Sequence, residues 1–229
     1  MAEKQSKNKW HTPAERIMML GFAAVILLGT ILLCLPVSAA DGKSVYWLDA
    51  LFTATTSVCV TGLVTVPTAT TWSTFGKIVI LGLIQFGGLG IMACLTMVFL
   101  ILRRKISLQS RKLIQDTYNL PVLKGSVGIV RKLLIGTAAV ELAGAFFYSF
   151  WFVPEYGFWK GIGYSLFHSV SAFCNAGIDL VGESSFAPFV TNPLINFTTM
   201  GLIFLSGLGF PVWWEVCLLY TSPSPRDRG

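Results

Sequence analysis

The sequence predicts an all-α integral membrane protein built from two span–re-entrant loop–span units. Three observations predict it: a strongly apolar composition, basic residues gathered beside apolar runs, and an internal repeat. Of 229 residues, 54% are hydrophobic and only 12% charged, whereas soluble domains carry roughly a quarter charged residues. The mean hydropathy is +0.68. A net charge of +6 would suggest nucleic acid in a soluble chain. Here the charges flank apolar runs, where they orient spans, so the expected partner is the lipid bilayer and not nucleic acid.

Residues 1–16 form a tail carrying Lys4, Lys7, Lys9 and Arg16. The first unit covers 17–105. Its opening span, 17–35, has close to the roughly 20 apolar residues a bilayer requires. It lacks a clear cleavage site and stops at Pro36, so it is read as a span and not a secretory signal. The run "WLDALFTATTSVCVTGL" at 47–63 is too short and too polar for an ordinary span. A second span follows at 75–102. At ~1.5 Å per residue it exceeds the hydrocarbon core, so it must tilt, bend or protrude.

Residues 106–128 form a basic connection, the core of a stretch with Arg103, Arg104, Lys105, Arg111, Lys112, Lys124, Arg131 and Lys132 against one acid, Asp116. It reads either as an amphipathic helix on the cytoplasmic face or as a solvated loop. The second unit, 129–217, repeats the order: a span at 129–152, a short run "GIGYSLFHSVSAFCNAGI" at 161–178, and a span opening at Leu194. Residues 218–229, Ser/Pro/Arg-rich and without a span pattern, read as a non-native tail on a truncated chain.

The positive-inside rule places the N-terminus and the connection in the cytoplasm of a multi-pass plasma-membrane protein. An even number of crossings must then separate them. Two spans and one loop that enters and turns back satisfy that; three full spans do not.

The two short runs match in register. "LFTATTSVCVTGL" from Leu51 and "LFHSVSAFCNAGI" from Leu166 coincide at four of thirteen positions, including Cys59 with Cys174 and Gly62 with Gly177. The following spans match too, "IQFGGLGI" (84–91) with "IFLSGLGF" (203–210). Such a repeat signals parallel units around an axis along the membrane normal. Non-helical backbone at membrane depth is tolerated only where it is buried or lines a water-filled cavity. Extended residues ahead of Gly62 and Gly177 would present unpaired carbonyls. A dehydrated cation can take those carbonyls as partners, as in potassium-channel filters. The C-terminal end of each short helix, partly negative, would face the ion.

These residues resemble the potassium-uptake transporters of the Trk/Ktr type. The similarity covers residues 14–216 and rests on "SVCVTGL", "FCNAGI" and "QFGGLG" in this order and repetition. The resemblance implies a potassium-channel-like pore of four span–pore loop–span units, of which this chain holds half. It assigns the potassium filter to Val58, Cys59, Val60, Thr61 and Gly62 and to Phe173, Cys174, Asn175, Ala176 and Gly177. It further implies potassium as the transported ion, with no cofactor in this chain and sodium as a coupling ion. It implies as partners a cytoplasmic nucleotide-binding regulatory ring and, at full length, a second identical chain. The competing expectation is a non-conducting membrane scaffold whose basic connection recruits a cytoplasmic regulator.

Individual residues carry further expectations. Gly62 and Gly177 are read as filter glycines over helix-packing ones; Gly87, Gly88 and Gly90 as packing or bending points. Glu141, in mid-span, is read as a buried hydrogen-bonding group that holds neighbouring helices, with proton or ion handling as the alternative. His168 is expected to hydrogen-bond behind the loop and not to bind metal. Asn175 either offers its side-chain oxygen to an ion or replaces Val60 sterically. Asp179 and Glu183 form a negative mouth or a solvated loop. Asp49 caps the first short helix or faces its dipole. The five cysteines (34, 59, 94, 174, 217) form no C-x-x-C pair, so a disulfide framework or zinc site is not expected. Cys59, Cys174, His168 and Glu141 make no nucleophile–base pair at recognisable spacing, so no enzyme is expected.

Overall fold

The computed structural model describes residues 14–90, 93–94, 126–182 and 184–209. Residues 1–13 of the tail, 91–92 and 95–105 of the second span, 106–125 of the connection, Glu183, the chain from 210 to 217 and the 218–229 tail lie outside the described residues. Among the described residues the protein is all-helical, with no strand and one isolated bridge between Ala39 and Trp72. The α-helices of the described residues follow in order: α1 (Ala14–Cys34), α2 (Trp47–Cys59), α3 (Thr68–Thr71), α4 (Thr74–Leu89), α5 (Ser126–Tyr156), α6 (Phe158–Phe173) and α7 (Pro193–Gly207).

Local chemistry explains the helix ends. Pro36 stops α1, and the Ser38 hydroxyl donates to the Leu32 carbonyl at 2.6 Å, satisfying one of the last acceptors. Ser73 caps α4 by accepting from Gly76 N–H at 3.2 Å. Asn192 caps α7 by accepting from Ile195 N–H at 3.3 Å, with Pro193 in the first turn, where a missing N–H costs nothing. Asp49 lies in the first turn of α2, but the capping position belongs to Tyr46, whose side chain makes no cap bond. Asp49 therefore faces the helix dipole and is not the cap.

The helices pack as two triplets, α1–α2–α4 and α5–α6–α7, with α4 also touching α6. The triplets repeat in packing detail. A Cβ on Gly29 of α1 would stand 2.7 Å from Leu83 Cδ1 of α4; one on Gly144 of α5 would stand 2.7 Å from Leu202 Cδ1 of α7. Both pairs occupy matching places in the repeat, so the close approach of outer and inner helix is written twice. One apolar core runs through both triplets, from Leu33, Ala54 and Ile80 to Phe152, Phe167 and Leu202.

Among the described residues, one helix is long and apolar enough to cross a membrane by itself, Val130–Tyr156. Met18–Cys34, Thr74–Leu89 and Pro193–Gly207 are shorter apolar helices. The expected span at 75–102 is not one straight helix. It stops at Leu89, and Gly90 takes φ +80, a conformation that suits glycine. The matching helix α7 stops at Gly207 and reaches Gly209 at φ +75. Both helices thus stop beside glycines that stand in register in the repeat. Large apolar side chains remain exposed on the outer faces, among them Leu27 and Ile31 of α1, Leu142 and Phe146 of α5, and Phe197 and Phe204 of α7. Such continuous apolar faces suit lipid and not water.

Candidate functional site: two glycine loops held face to face

Helices α2 and α6 end in the same backbone motif. At the end of α2, Val60 is left-handed (φ 49, ψ 46), and Thr61 N–H returns to the Thr56 carbonyl at 3.1 Å. At the end of α6, Asn175 is left-handed (φ 58), Ala176 N–H returns to the Ser171 carbonyl at 2.8 Å, and Asn175 N–H reaches the Ala172 carbonyl at 3.1 Å. This is a Schellman-type cap, in which a left-handed residue lets N–H groups beyond the helix satisfy its last carbonyls. Asparagine tolerates that conformation; a β-branched valine is an outlier there. Two residues further on, Gly62 (φ +75) and Gly177 (φ +67) redirect the chain.

The helices therefore reach further than the sequence suggested. α2 continues through Cys59, and a left-handed residue stands where continuous extended backbone was expected. The Schellman closure explains the difference: it uses carbonyls that a simple helix end would leave open.

The loops meet. A Cβ on Gly62 would stand 2.8 Å from the Ala176 carbonyl oxygen and 3.4 Å from Gly177 Cα. Only backbone fits between them. All ten residues read as filter residues lie on these two adjoining segments. Val58, Phe173, Cys174 and Ala176 are buried, while Cys59, Thr61, Asn175 and Gly177 are exposed. On one side lies a cavity of about 500 Å³ lined by residues of both loops, among them Gly62, Thr65, Gly177, Asp179 and Ser185.

Each loop is braced from behind. Thr56 Oγ1 and Thr61 Oγ1 are 2.6 Å apart. The matching Ser171 hydroxyl donates to the Ile178 carbonyl at 2.6 Å and accepts from Ile178 N–H at 3.1 Å, fixing the residue that follows Gly177. His168 is 1% exposed. Its Nε2 accepts from Leu180 N–H at 3.1 Å, which leaves Nδ1 as the donor to the Tyr164 carbonyl at 2.7 Å. The imidazole stacks on Phe152 at 4.8 Å. The expected hydrogen bond behind the loop is thus present, and both ring nitrogens are engaged.

Asn175 spends its amide N–H on Ser206 Oγ of α7 at 2.8 Å. Asp179 accepts from Val181 N–H at 3.0 Å and from the Ser185 hydroxyl at 2.5 Å, so it also folds its own loop. Glycines 87 and 88 are close-approach positions. A Cβ on Gly87 would collide with the Val58 carbonyl, and one on Gly88 with the Cys174 side chain.

Glu141 is buried and joins the triplets. Gln85 Nε2 of α4 donates to both its carboxylate oxygens, at 2.9 and 3.1 Å. Its backbone carbonyl accepts from Ser169 Oγ of α6 at 2.6 Å. This is the helix-holding hydrogen bond expected of it. Gln85, Thr56 and Ser171 were not singled out from the sequence. Gln85 is the polar residue inside the run 78–91, and the two hydroxyls stand in register in the repeat; those were the available signals.

A family model for TrkH, a cation transport protein, matches residues 6–224. The chain belongs to this family. TrkH is a family of transport proteins and not an enzyme class. The chain is 41% identical to the potassium/sodium uptake protein NtpJ of Enterococcus hirae, over 93% of this chain and 47% of that protein. It is 39% identical to the Ktr system potassium uptake protein B of Bacillus subtilis, over 93% of this chain and 48% of the relative. The protein of the same description from Vibrio alginolyticus is 38% identical over 93% of this chain. The chain spans about half the length of the curated relatives it matches. Within the TrkH family its outward apolar faces have a ready account: they belong to a membrane protein.

Proposed function

We propose that this chain supplies two quarters of a potassium-selective pathway through the plasma membrane, its ions passing the backbone carbonyls of 58–62 and 173–177. The carrying observation is that Gly62 and Gly177 adjoin at backbone distance with the same left-handed φ, each just beyond a helix C-terminus. Helix C-termini carry partial negative charge and attract a cation without a carboxylate. Backbone carbonyls are the ligands that replace the hydration shell of potassium in channel filters. In this reading α2 and α6 are re-entrant pore helices, α1 and α5 the outer spans, and α4 and α7 the inner ones. The N-terminus and the 106–128 connection face the cytoplasm.

The relatives' names support uptake of potassium, and one names sodium as well. We extend to this chain, as part of the same reading, sodium as a coupling ion, a cytoplasmic nucleotide-binding ring docked on the basic connection, and pairing with a second identical chain at full length.

The test is Gly62→Ser and, separately, Gly177→Ser in the full-length gene product, with uptake measured in a potassium-requiring strain. A Cβ at either glycine meets an unfavourable φ, and at Gly62 it also meets the Ala176 carbonyl. Both variants should lose potassium preference over sodium by about tenfold or more, as expected when one filter contact worth ~1.4 kcal/mol is lost. An unchanged preference in both would refute the filter assignment.

A further inference from the structure

Helix α4 touches both glycine loops through consecutive residues. Gly87 lies against the Val58 carbonyl of the loop in its own triplet, and Gly88 against Cys174 of the other. One turn earlier, Gln85 faces the second triplet with both ends of its amide. Its Nε2 donates to the Glu141 carboxylate at 2.9 and 3.1 Å. Its Oε1 accepts from the Cys174 thiol at 3.8 Å. The amide is therefore held at both ends between α5 and the second loop. Glu141 is in turn fixed through its own carbonyl by Ser169 of α6, two residues before the Ser171 that holds Ile178, next to Gly177.

Among the described residues the second triplet shows no matching link. Where α4 has Gly87, α7 has Ser206, and Ser206 bonds to Asn175 of its own loop. The link from α4 to a loop outside its own triplet is thus a property of Gln85 with Gly88. The bridge ties the second loop to α4 and α5, beyond the bonds from Ser171, His168 and Ser206 that hold it within its own triplet.

We propose that Gln85 is a positioning residue: by bridging the Glu141 carboxylate and the Cys174 thiol, it sets the second loop at its distance from the first and thereby sets ion selectivity. The inference rests on the filter reading above. It says that selectivity depends on a side chain that never meets the ion.

The experiment uses the full-length gene product in a potassium-requiring strain, with membrane abundance measured beside potassium and sodium uptake. Gln85→Met keeps the volume and removes both hydrogen bonds. It should lower the potassium-to-sodium ratio by about threefold to tenfold, the range for losing an ordinary hydrogen bond, with normal abundance. Glu141→Gln keeps an oxygen that accepts from Gln85 and should retain the parent ratio; Glu141→Leu removes it and should match Gln85→Met. The double variant Gln85→Met, Glu141→Leu should be no worse than either single one, because both break one bridge. A parent-like ratio in Gln85→Met overturns the proposal, as does a loss in Glu141→Gln equal to that in Glu141→Leu, which would make the charge and not the bridge responsible. Should Gln85→Met fail to reach the membrane, Glu141→Leu decides by the same criterion. Gly177→Ser run in parallel separates the two readings: if it leaves the ratio unchanged the filter assignment fails, and if it shifts the ratio while Gln85→Met does not, only the bridge fails.

Discussion

Val60 and Asn175 hold the same left-handed place at the ends of two equivalent helices, yet only one is a residue suited to it. A β-branched side chain at φ 49 crowds the following carbonyl. Conformations of that kind cost about 1–3 kcal/mol and persist where the surroundings over-determine them. Here the surroundings are the Thr61 N–H bond to the Thr56 carbonyl and the packing of the buried Val58 against Gly87. Val60→Asn copies the second loop into the first. It should raise the apparent unfolding temperature in detergent, for a net gain of about 1 kcal/mol after the loss of some apolar contact. A lowered or unchanged temperature would mean that the valine contributes more by packing than it loses in backbone strain. The same comparison marks the limit of reading at this scale. Gly62 and Gly177 were legible because glycine repeats in register where the backbone needs it. The left-handed Val60 was not, because nothing in valine's preferences announces it.

At the scale of elements, the repeat was legible and its breaks were less so. Matching motifs in 51–63 and 166–178 foretold two like helix ends, and the structure carries the likeness further, to the Gly29–Leu83 and Gly144–Leu202 contacts and to the positive φ of Gly90 and Gly209. The exact reach of α2 was hidden, because a Schellman closure depends on hydrogen bonds formed after the chain turns. The Gln85–Glu141 pair was hidden for another reason: its partners are 56 residues apart and on different triplets, and no periodicity links them. The two glycine contacts differ in one respect that yields a prediction. The Cβ of Gly29→Ala would press on the mobile methyls of Leu83, which can swing aside. That of Gly144→Ala would also press on Ser169 Oγ, which is held by the Glu141 carbonyl at 2.6 Å. Overpacking costs typically about 1–3 kcal/mol. Gly29→Ala should fall at the low end and Gly144→Ala at the high end, measured as thermal stability in detergent. Ser169→Ala should restore part of the loss in Gly144→Ala; equal losses in the two glycine variants, with no such rescue, would contradict this account of the packing.

For the whole molecule, the number of loops sets what the chain can do alone. In the proposed pathway an ion exchanges its water for carbonyls on all sides, and potassium channels use four loops for this. The 229-residue chain presents two, and they adjoin at Gly62 and Gly177, so an ion beside them keeps water on its far side and pays for dehydration without full replacement. Helices α5 and α7 expose large apolar side chains, including Phe146 and Phe204, which either lipid or further helices can cover. The expectation is specific. The purified 229-residue chain, reconstituted into liposomes below an average of one chain per vesicle, should give no potassium flux above that of empty vesicles. If two copies can complete a pathway, flux should appear at higher density and grow with the square of chains per vesicle. Gly62→Ser should then change its potassium-to-sodium ratio, because the same carbonyls line it. Flux that rises linearly from the lowest density would mean that one chain conducts by itself. That outcome would contradict the proposal that two loops supply only part of the wall.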